Sequence, residues 1–285
     1  MQIDAKGVYY RQLNERIREA IEAGETEIEL VGVNGQRYIG GGIKAKGVTI
    51  SINGVPGNDL ATFMNGPTVI VNNNAQDGCG NTMNAGKIVV HGDAGDVLGY
   101  GMRGGRLFVR GDVGYRVGIH MKAYETQVPV IVAGGIARDF LGEYMAGGIL
   151  VVLGIRHSNG NGGRGETGAG QNGGVHTVHG HTINGHLGNG RAAAMNGSNG
   201  TSAVGNWAGT GMHGGKIYVR GGLEEHQLGR EVKPFELTGE DREELDDILT
   251  DYCDELGVDY DEVMSEPFVK LIPYTHRPYG KMYAY

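Results

Sequence analysis

A period of 19 residues runs through the middle of the chain and constrains its fold more than any other feature. Methionine, branched apolar residues and glycine each return at this spacing across four successive units. The repeated positions are Met64, Met83, Met102 and Met121; Ile50, Val69, Ile88 and Leu107; Ile52, Val71, Val90 and Val109; Leu60, Cys79, Leu98 and Val117; and Ala61, Gly80, Gly99 and Gly118. Repetition at a short, fixed period is typical of proteins built by stacking like units.

The period recurs further along the chain after two interruptions. Leu141, Gly142 and Met145 are in phase once a short insertion at 125–128 is allowed for, and Met212 occupies the methionine position again. Short apolar runs of strand type alternate with glycine clusters, which permit the positive φ angles of tight corners. A unit of this length cannot bury its own apolar face, so like units must stack. The repeat therefore predicts a parallel β-helix of about six or seven coils with the methionine and leucine ladders inside.

Two glycine clusters within the repeat match the G-x-G-x-x-G pattern of dinucleotide-binding loops. They lie at 99–104, "GYGMRG", and at 209–214, "GTGMHG". A nucleotide-binding loop needs a helix directly after the glycines, so that the helix N-terminus faces the phosphates. Both clusters continue instead into strand-type sequence, at 107–109 and 217–219. We therefore interpret them as corners of coils.

Several segments carry a resemblance to a known family. "NGQRYIGGGI", "AQDGCGNTMNAGKIVVHGDAGDVLGYGMRGG" and "GGIARDFLGEYMAGG" resemble the C-terminal glycine-rich domain, or GXGXG domain, of the glutamate synthase large subunit. The resemblance covers residues 28–157 and resumes at 205–221. It implies an all-β core formed by a single-stranded right-handed parallel β-helix with glycine-rich coils of 19 residues. The whole chain resembles the stand-alone form of this domain in prokaryotes with a split glutamate synthase. It is more distantly similar to the subunit of formylmethanofuran dehydrogenase that is built from the same repeat.

We expect the chain to divide into three parts. An α-helical N-terminal cap occupies 1–27, the β-helix occupies 28–221, and an acidic α-helical extension with a tail occupies 222–285. The β-helix carries an insertion at 158–206 that is rich in Gly and Asn and nearly devoid of large apolar residues. Such a segment buries too little surface to offset its ordering entropy, so we expect a long flexible loop.

The insertion contains the candidate metal ligands of the chain. They are His176, His179, His181 and His186. Imidazole suits zinc, copper and nickel, but a flexible loop offers no surrounding groups to orient the rings. We therefore interpret these histidines as incidental or weak metal ligands.

Helical patterns flank the repeat on both sides. The N-terminal helix has an apolar face formed by Tyr10, Leu13, Ile17 and Ile21. Gly24 ends it, and it is expected to cover the open end of the β-helix. The C-terminal helix begins at a capping pair, Thr238 with Asp241, and ends at Gly257. Its apolar stripe consists of Leu245, Ile248, Leu249, Tyr252 and Leu256.

Charge is strongly segregated along the chain. Residues 224–266 hold 17 acidic against three basic side chains, whereas the rest of the chain carries a balance of +6. The acidic segment is expected to form a solvated surface helix, with docking on a basic partner subunit as the alternative. Neither part favours nucleic-acid binding.

Cysteine usage and hydropathy indicate a cytoplasmic chain without a metal–cysteine framework. No apolar run has the length of a membrane helix, and "MQIDAKG" is not a signal peptide. Cys79 lies at an interior repeat position and is expected to be a buried thiol. No C-x-x-C motif accompanies it or Cys253, so no iron–sulfur or zinc site is predicted.

We identify no catalytic residues and no cofactor-binding residues. A glutamine amidotransferase of this type would begin with a nucleophilic cysteine, whereas the first cysteine here is Cys79. Two aspartate pairs, Asp93 with Asp112 and Asp77 with Asp96, would stack on neighbouring coils. Stacked carboxylates can do acid–base work or bind calcium, but beside glycine corners capping of turns is favoured. The repeat histidines, His91, His120 and His213, are interpreted as surface or corner residues.

The resemblance implies a non-catalytic structural subunit of a multi-subunit glutamate synthase, which converts glutamine and 2-oxoglutarate to glutamate. The expected partners are a glutamine amidotransferase subunit and an FMN-dependent synthase subunit. FMN and an iron–sulfur cluster are expected in those partners, and a homo-oligomer is also compatible with the sequence. Two alternatives stay open: a scaffold subunit of a formylmethanofuran dehydrogenase, and a free-standing β-helix binding module.

Overall fold

The computed structural model describes residues 1–155 and 202–274. Its strands form one 11-stranded sheet that follows chain order until the last two strands, which exchange places. The strands are β1 (Gln2–Asp4), β2 (Glu27–Asn34), β3 (Thr49–Val55), β4 (Asn65–Val71), β5 (Ala85–Val90), β6 (Arg106–Val109), β7 (Val130–Ala133), β8 (Ala146–Val152), β9 (Gly214–Arg220), β10 (Val232–Phe235) and β11 (Phe268–Pro273). The helices are α1 (Tyr10–Glu22), α2 (Gly239–Leu256) and α3 (Tyr260–Met264). The first nine strands pair in parallel as a β-helix, so the predicted fold class is confirmed.

The register of the strands reproduces the sequence period. Ile88 pairs with Leu107 on the next coil, so like residues stack on like residues. The register also crosses both interruptions, because Leu107 pairs with Ile131 and Leu150 pairs with Ile217. The ladder therefore continues in register on both sides of each interruption.

The interior of the coils is filled by the predicted ladders. The methionine ladder is completely buried and consists of Met64, Met83, Met102, Met121, Met145 and Met212. A second wall of the coils is joined by single parallel bridges through Ala75, Ala94, Val113, Ala137 and Val204. Each fully buried aliphatic side chain contributes about 1.5–3 kcal/mol of transfer free energy, so the ladders are the main source of cohesion between coils.

The third wall is made of corners with an unusual backbone. Each corner has three alternating residues with positive φ, at 38/40/42, 59/61/63, 78/80/82, 97/99/101, 116/118/120, 140/142/144 and 207/209/211. The N–H groups of these left-handed residues bond alternately to the two neighbouring coils. Gly99 donates to the carbonyl of Cys79 on the preceding coil at 2.8 Å, and Gly101 donates to Ile119 on the following coil at 2.9 Å. The interpretation of the 99–104 glycines as a coil corner is thus confirmed.

Helix α1 and strand β1 occupy the N-terminal end of the β-helix. Strand β1 pairs in parallel with β2, and the sequence did not predict it. The buried residues of α1 are Leu13, Asn14, Ile17 and Ala20. Tyr10 and Ile21 are only half-buried, so the buried face is rotated from the predicted one. The rotation brings the Asn14 side chain under the helix, where its Nδ2 donates to the carbonyls of Tyr10 and Arg37 at 2.8 and 3.1 Å.

The C-terminal extension contains two strands as well as the predicted helix. Strand β11 pairs antiparallel with β9, and β10 pairs antiparallel with β11, so the parallel ladder ends here. The helix has the predicted caps: the Thr238 side chain accepts from the Asp241 N–H, and Gly257 is left-handed at φ 60°. All five predicted stripe residues are buried.

Helix α2 packs on the outer face of the sheet. The outward side chains beneath it are buried as well, namely Val89, Phe108, Val132, Val151 and Tyr218. On earlier coils the outer face is polar, since the Asn53 Nδ2 donates to Glu29 at 2.8 Å and the Asn72 Nδ2 donates to Asn53 at 2.8 Å. The outer face of the sheet is therefore apolar where α2 covers it.

Acidic side chains of α2 face basic residues of the chain's own strands. Lys87 lies 2.7 Å from Asp251 and 2.6 Å from Glu255, and Arg106 lies 2.5 Å from Asp251 and 2.6 Å from Asp247. We expected this charge either on a solvated helix or against a partner subunit. One face of α2 instead forms ion pairs with Lys87 and Arg106, which stack on neighbouring coils of the β-helix.

Candidate interaction surface

The four candidate metal ligands, His176, His179, His181 and His186, lie outside the described residues, so a metal site there stays a prediction. Within 1–155 and 202–274, no group of three or more His, Cys, Asp or Glu side chains is arranged to hold a metal ion.

The stacked aspartates hold neighbouring coils together. The Asp77 Oδ1 accepts from the backbone N–H of Asp96 at 2.9 Å, and the Asp93 Oδ1 accepts from Asp112 at 2.9 Å. The Asp112 Oδ1 continues the series by accepting from Ile136 at 2.9 Å. These are the bonds that the turn-capping interpretation predicts, and each uses the Oδ1 atom of its aspartate.

Both thiols are buried, as expected for Cys79. Burial raises the pKa of Cys79 to about 12. Burial, with smaller effects of Asp254 and Asp259, raises the pKa of Cys253 to about 11. Since the thiolate is the nucleophile and the metal ligand, neither cysteine is activated for such chemistry near neutral pH.

The three repeat histidines are dispersed over the coils. His91 follows β5, where partial burial and then the charge of Arg110 lower its pKa. His213 is exposed, with its Nδ1 3.2 Å from the Gly211 carbonyl oxygen. His120 lies at a corner, as interpreted from the sequence, and is part of an aromatic surface.

This surface runs along the outside of the corners, and we call it the corner wall. Its members are exposed or half-buried side chains on six of the seven corners, the corner at 78–82 having none: Tyr38, Phe63, Tyr100, Tyr115, Arg116, His120, Phe140, Tyr144 and Trp207. Phe63 is 55% exposed and Trp207 is 48% exposed, which is unusual for side chains of this size. The rings in contact between Tyr100 and Trp207 form exposed apolar patches of the kind that mark interaction sites.

One cluster of the corner wall spans three successive coils. The Arg116 guanidinium lies 4.6 Å from the centroid of the Phe140 ring, within cation–π range. Phe140 in turn stacks on Trp207 with centroids 5.0 Å apart. The Arg116 Nη1 also pairs with the carboxylate of Glu143, which is buried. Arg116 is therefore held from two sides while 42% of its side chain stays exposed.

A second cluster lies beside the first. The His120 ring meets Tyr100 edge-on with centroids 5.7 Å apart and stacks on Tyr144 at 5.4 Å with an interplanar angle of 11°. The Tyr144 ring covers Gly211 on the next coil, because a Cβ at Gly211 would lie 2.3 Å from the Tyr144 Cδ1. A glycine on one coil therefore makes room for an aromatic ring on its neighbour.

The corner wall carries backbone strain at the positions that glycine would fill most easily. Arg116, Phe140 and Trp207 have φ of 58°, 64° and 60°, and they are in phase with Gly78, whose φ is 70°. A left-handed conformation costs a residue with a Cβ roughly 1–2 kcal/mol. The same conformation occurs at corner residues outside the wall, such as Asp59 and Val97, so it is a property of the coil corners in general. The sequence did not predict these residues as a site, although the return of large side chains at one register of the period could have revealed them.

A cavity lies at the N-terminal end of the corner wall, between α1 and the first two corners. Its volume is about 310 Å³, and Arg11, Arg18, Tyr38 and Phe63 are among its lining residues. Asn14 also lines it, and the Asn14 Oδ1 is buried without a hydrogen-bond donor among the described residues.

No helix in the described ranges has both the length and the apolar character that crossing a membrane requires.

Comparison with known proteins identifies the family. The sequence model of the family described as "GXGXG motif" matches residues 12–190 of this chain. The uncharacterized protein MJ1350 of Methanocaldococcus jannaschii is 42% identical over 287 residues, which cover 99% of this chain and 95% of that protein. The family match spans six of the seven corners with alternating left-handed residues, from 38–42 to 140–144. The chain belongs to the GXGXG motif family, to which the glutamate synthase domain that it resembles also belongs.

Proposed function

We propose that this chain is a non-catalytic structural subunit of a cytoplasmic, multi-subunit glutamate synthase. Its partners are a glutamine amidotransferase subunit and an FMN-dependent synthase subunit that carries the flavin and the iron–sulfur cluster. The chain holds the two parts at a fixed distance, so that ammonia released by one reaches the other without escaping into bulk solvent. Family membership supports this enzyme system.

The observation that carries the proposal is the bonding of each coil to the next through three separate walls. The strands pair in parallel, the second wall is joined by single bridges, and the corners exchange backbone hydrogen bonds with both neighbours. A body bonded along its whole length resists bending, because every coil would have to break bonds on several sides. Such stiffness suits a spacer between two active sites.

The experiment that tests the proposal is reconstitution from separate chains. The amidotransferase and synthase chains of the same genome are purified and assayed with an artificial electron donor, with and without this chain. As a scaffold, the chain should raise glutamate formation from glutamine and leave formation from added ammonium salts nearly unchanged, since only the first depends on transfer between sites. An equal stimulation of both reactions, or of neither, would contradict the proposal.

A further inference from the structure

We propose that the corner wall is the surface on which a partner protein chain of the complex docks, with the cluster of Arg116, Phe140 and Trp207 at its centre. The facing surface of that partner presents carboxylate groups among apolar side chains. This inference rests on the proposed function and adds to it the location of the interface and the chemistry of the partner.

The composition of the wall is that of an interface centre. Interfaces are enriched in Tyr, Trp, Phe and Arg and depleted in Lys and Glu, and the residues that dominate binding energy are mainly Trp, Tyr and Arg. The wall has these enriched types, and the acidic side chain beside its central cluster, Glu143, is buried and engaged by Arg116. Elsewhere Lys233 lies 4.0 Å from the exposed Tyr274 ring, but no second ring stacks on that pair among the described residues, and the Tyr9 ring is tilted by 54° against Tyr10.

The extent of the wall also suits a protein partner. Seven corners lie between the coil of Tyr38 and that of Trp207 inclusive. At about 4.8 Å between coils they span about 29 Å. A standard interface buries about 800 Å² on each partner, which corresponds to a patch of about that width.

The wall is organised before any partner arrives. Phe140 and Trp207 are restrained by their left-handed backbone and by the stack between them, and Arg116 is held by the Phe140 ring and Glu143. Immobilising a mobile side chain on binding costs about 0.5–1.5 kcal/mol. The restraints already present reduce that cost.

The charge of the wall selects among partners. Arg116 in the wall and Arg138 beside it each place a guanidinium near a ring, at 4.6 Å from Phe140 and 5.7 Å from Tyr115, and both retain exposed surface. Their remaining donors fit carboxylates. A polyanion such as RNA is disfavoured, because the guanidinium at the centre of the wall is already paired with the Glu143 carboxylate.

The test uses a double variant that removes the central rings without adding strain. In Phe140→Gly with Trp207→Gly, glycine enters two positions of positive φ, so the coils should stay folded. Phe235→Ala removes a ring that is 42% exposed on β10 and serves as the matched control. Circular dichroism and thermal unfolding establish that all variants are folded.

Binding of the full-length variants to the purified amidotransferase and synthase chains is measured by titration. The double variant should bind its partner at least about thirtyfold more weakly than the wild type, and the control variant should bind normally. Wild-type affinity in the double variant would overturn the inference and leave the proposed function standing. Binding of neither chain by the wild-type protein would overturn both. Tight binding of single-stranded RNA, lost in the double variant, would replace the proposed partner with a nucleic acid.

Discussion

The carboxylate of Asp93 occupies the space that a side chain at Gly111 would need. The Asp93 Oδ1 accepts a hydrogen bond from the backbone N–H of Asp112, and a Cβ built on Gly111 would lie 2.1 Å from that oxygen. The same arrangement links Asp112 with Gly135 on the next coil, where the corresponding distance is 2.1 Å. The aspartates and glycines that recur in the sequence therefore serve one arrangement. A carboxylate on one coil binds the backbone of the next coil, and glycine there leaves room for it.

This relationship predicts that Gly111→Ala destabilises the protein. The added methyl group displaces the Asp93 carboxylate and weakens a bond between coils, at a cost of about 1–3 kcal/mol in the free energy of unfolding. Gly222→Ala is the matched control, since no atom lies within 4 Å of its Cβ. Urea unfolding of both variants checks the prediction, and equal stability would argue against the role of the carboxylate.

Relief of backbone strain should stabilise a corner. Val97 has a φ of 52°, which is unfavourable for a β-branched residue. Val97→Gly removes that strain but increases the entropy of the unfolded chain, so a net gain of up to about 1 kcal/mol is expected. Val97→Ala keeps the strain and loses the side chain. The prediction fails if the alanine variant is as stable as the glycine variant in thermal unfolding.

The buried carboxylate of Asp241, in the first turn of α2, should make the stability of the protein sensitive to acid. Asp241 is 2% exposed. Burial alone would raise its pKa, but hydrogen bonds from Lys270, Thr238 and Lys216 hold its pKa far below the ordinary value of 3.8. A carboxyl group with a lowered folded-state pKa stabilises the fold above its unfolded pKa and loses that contribution as pH falls. We therefore expect stability to decline as pH drops below about 4.

The variant Asp241→Asn tests this directly. It leaves the buried Lys270 ammonium without its counter-ion, at a cost of about 3–5 kcal/mol at neutral pH. It should also flatten the loss of stability between neutral pH and pH 3. Asp254→Asn, on an exposed position of the same helix, is the control and should leave both quantities nearly unchanged. If the stability of Asp241→Asn falls with pH as steeply as that of the wild type, a group other than Asp241 causes the sensitivity to acid.

Both cysteines should be inert in the folded protein. Burial raises the pKa of Cys79 to about 12 and that of Cys253 to about 11, so the thiolate fraction at pH 8 is very small. A chromogenic thiol reagent should therefore react with neither until the protein is unfolded in guanidinium, when both react. Rapid reaction of one thiol in the native protein would contradict the buried position.

The sequence period was sufficient to predict the β-helix, because the ladder from Met64 to Met212 requires stacked coils. It was not sufficient for the corner wall, since the residues in register with Phe140 and Trp207 differ in kind from coil to coil, as Asp59, Gly78 and Val97 show, and the contacts of the two rings join residues far apart in sequence. Strands β10 and β11 were missed because they pair antiparallel, outside the repeat. The place of α2 could not be predicted either, since it depends on the outer face of strands that sequence alone leaves exposed.

The most direct test of the scaffold role is a mild affinity purification of the chain from an extract of its native cells, with mass spectrometry of its companions and a visible spectrum. The account predicts an amidotransferase chain and a synthase chain in fixed proportion, with the absorption of bound flavin. Recovery with pterin-metal chains would assign it to a different oxidoreductase, and recovery alone and colourless would contradict the scaffold role.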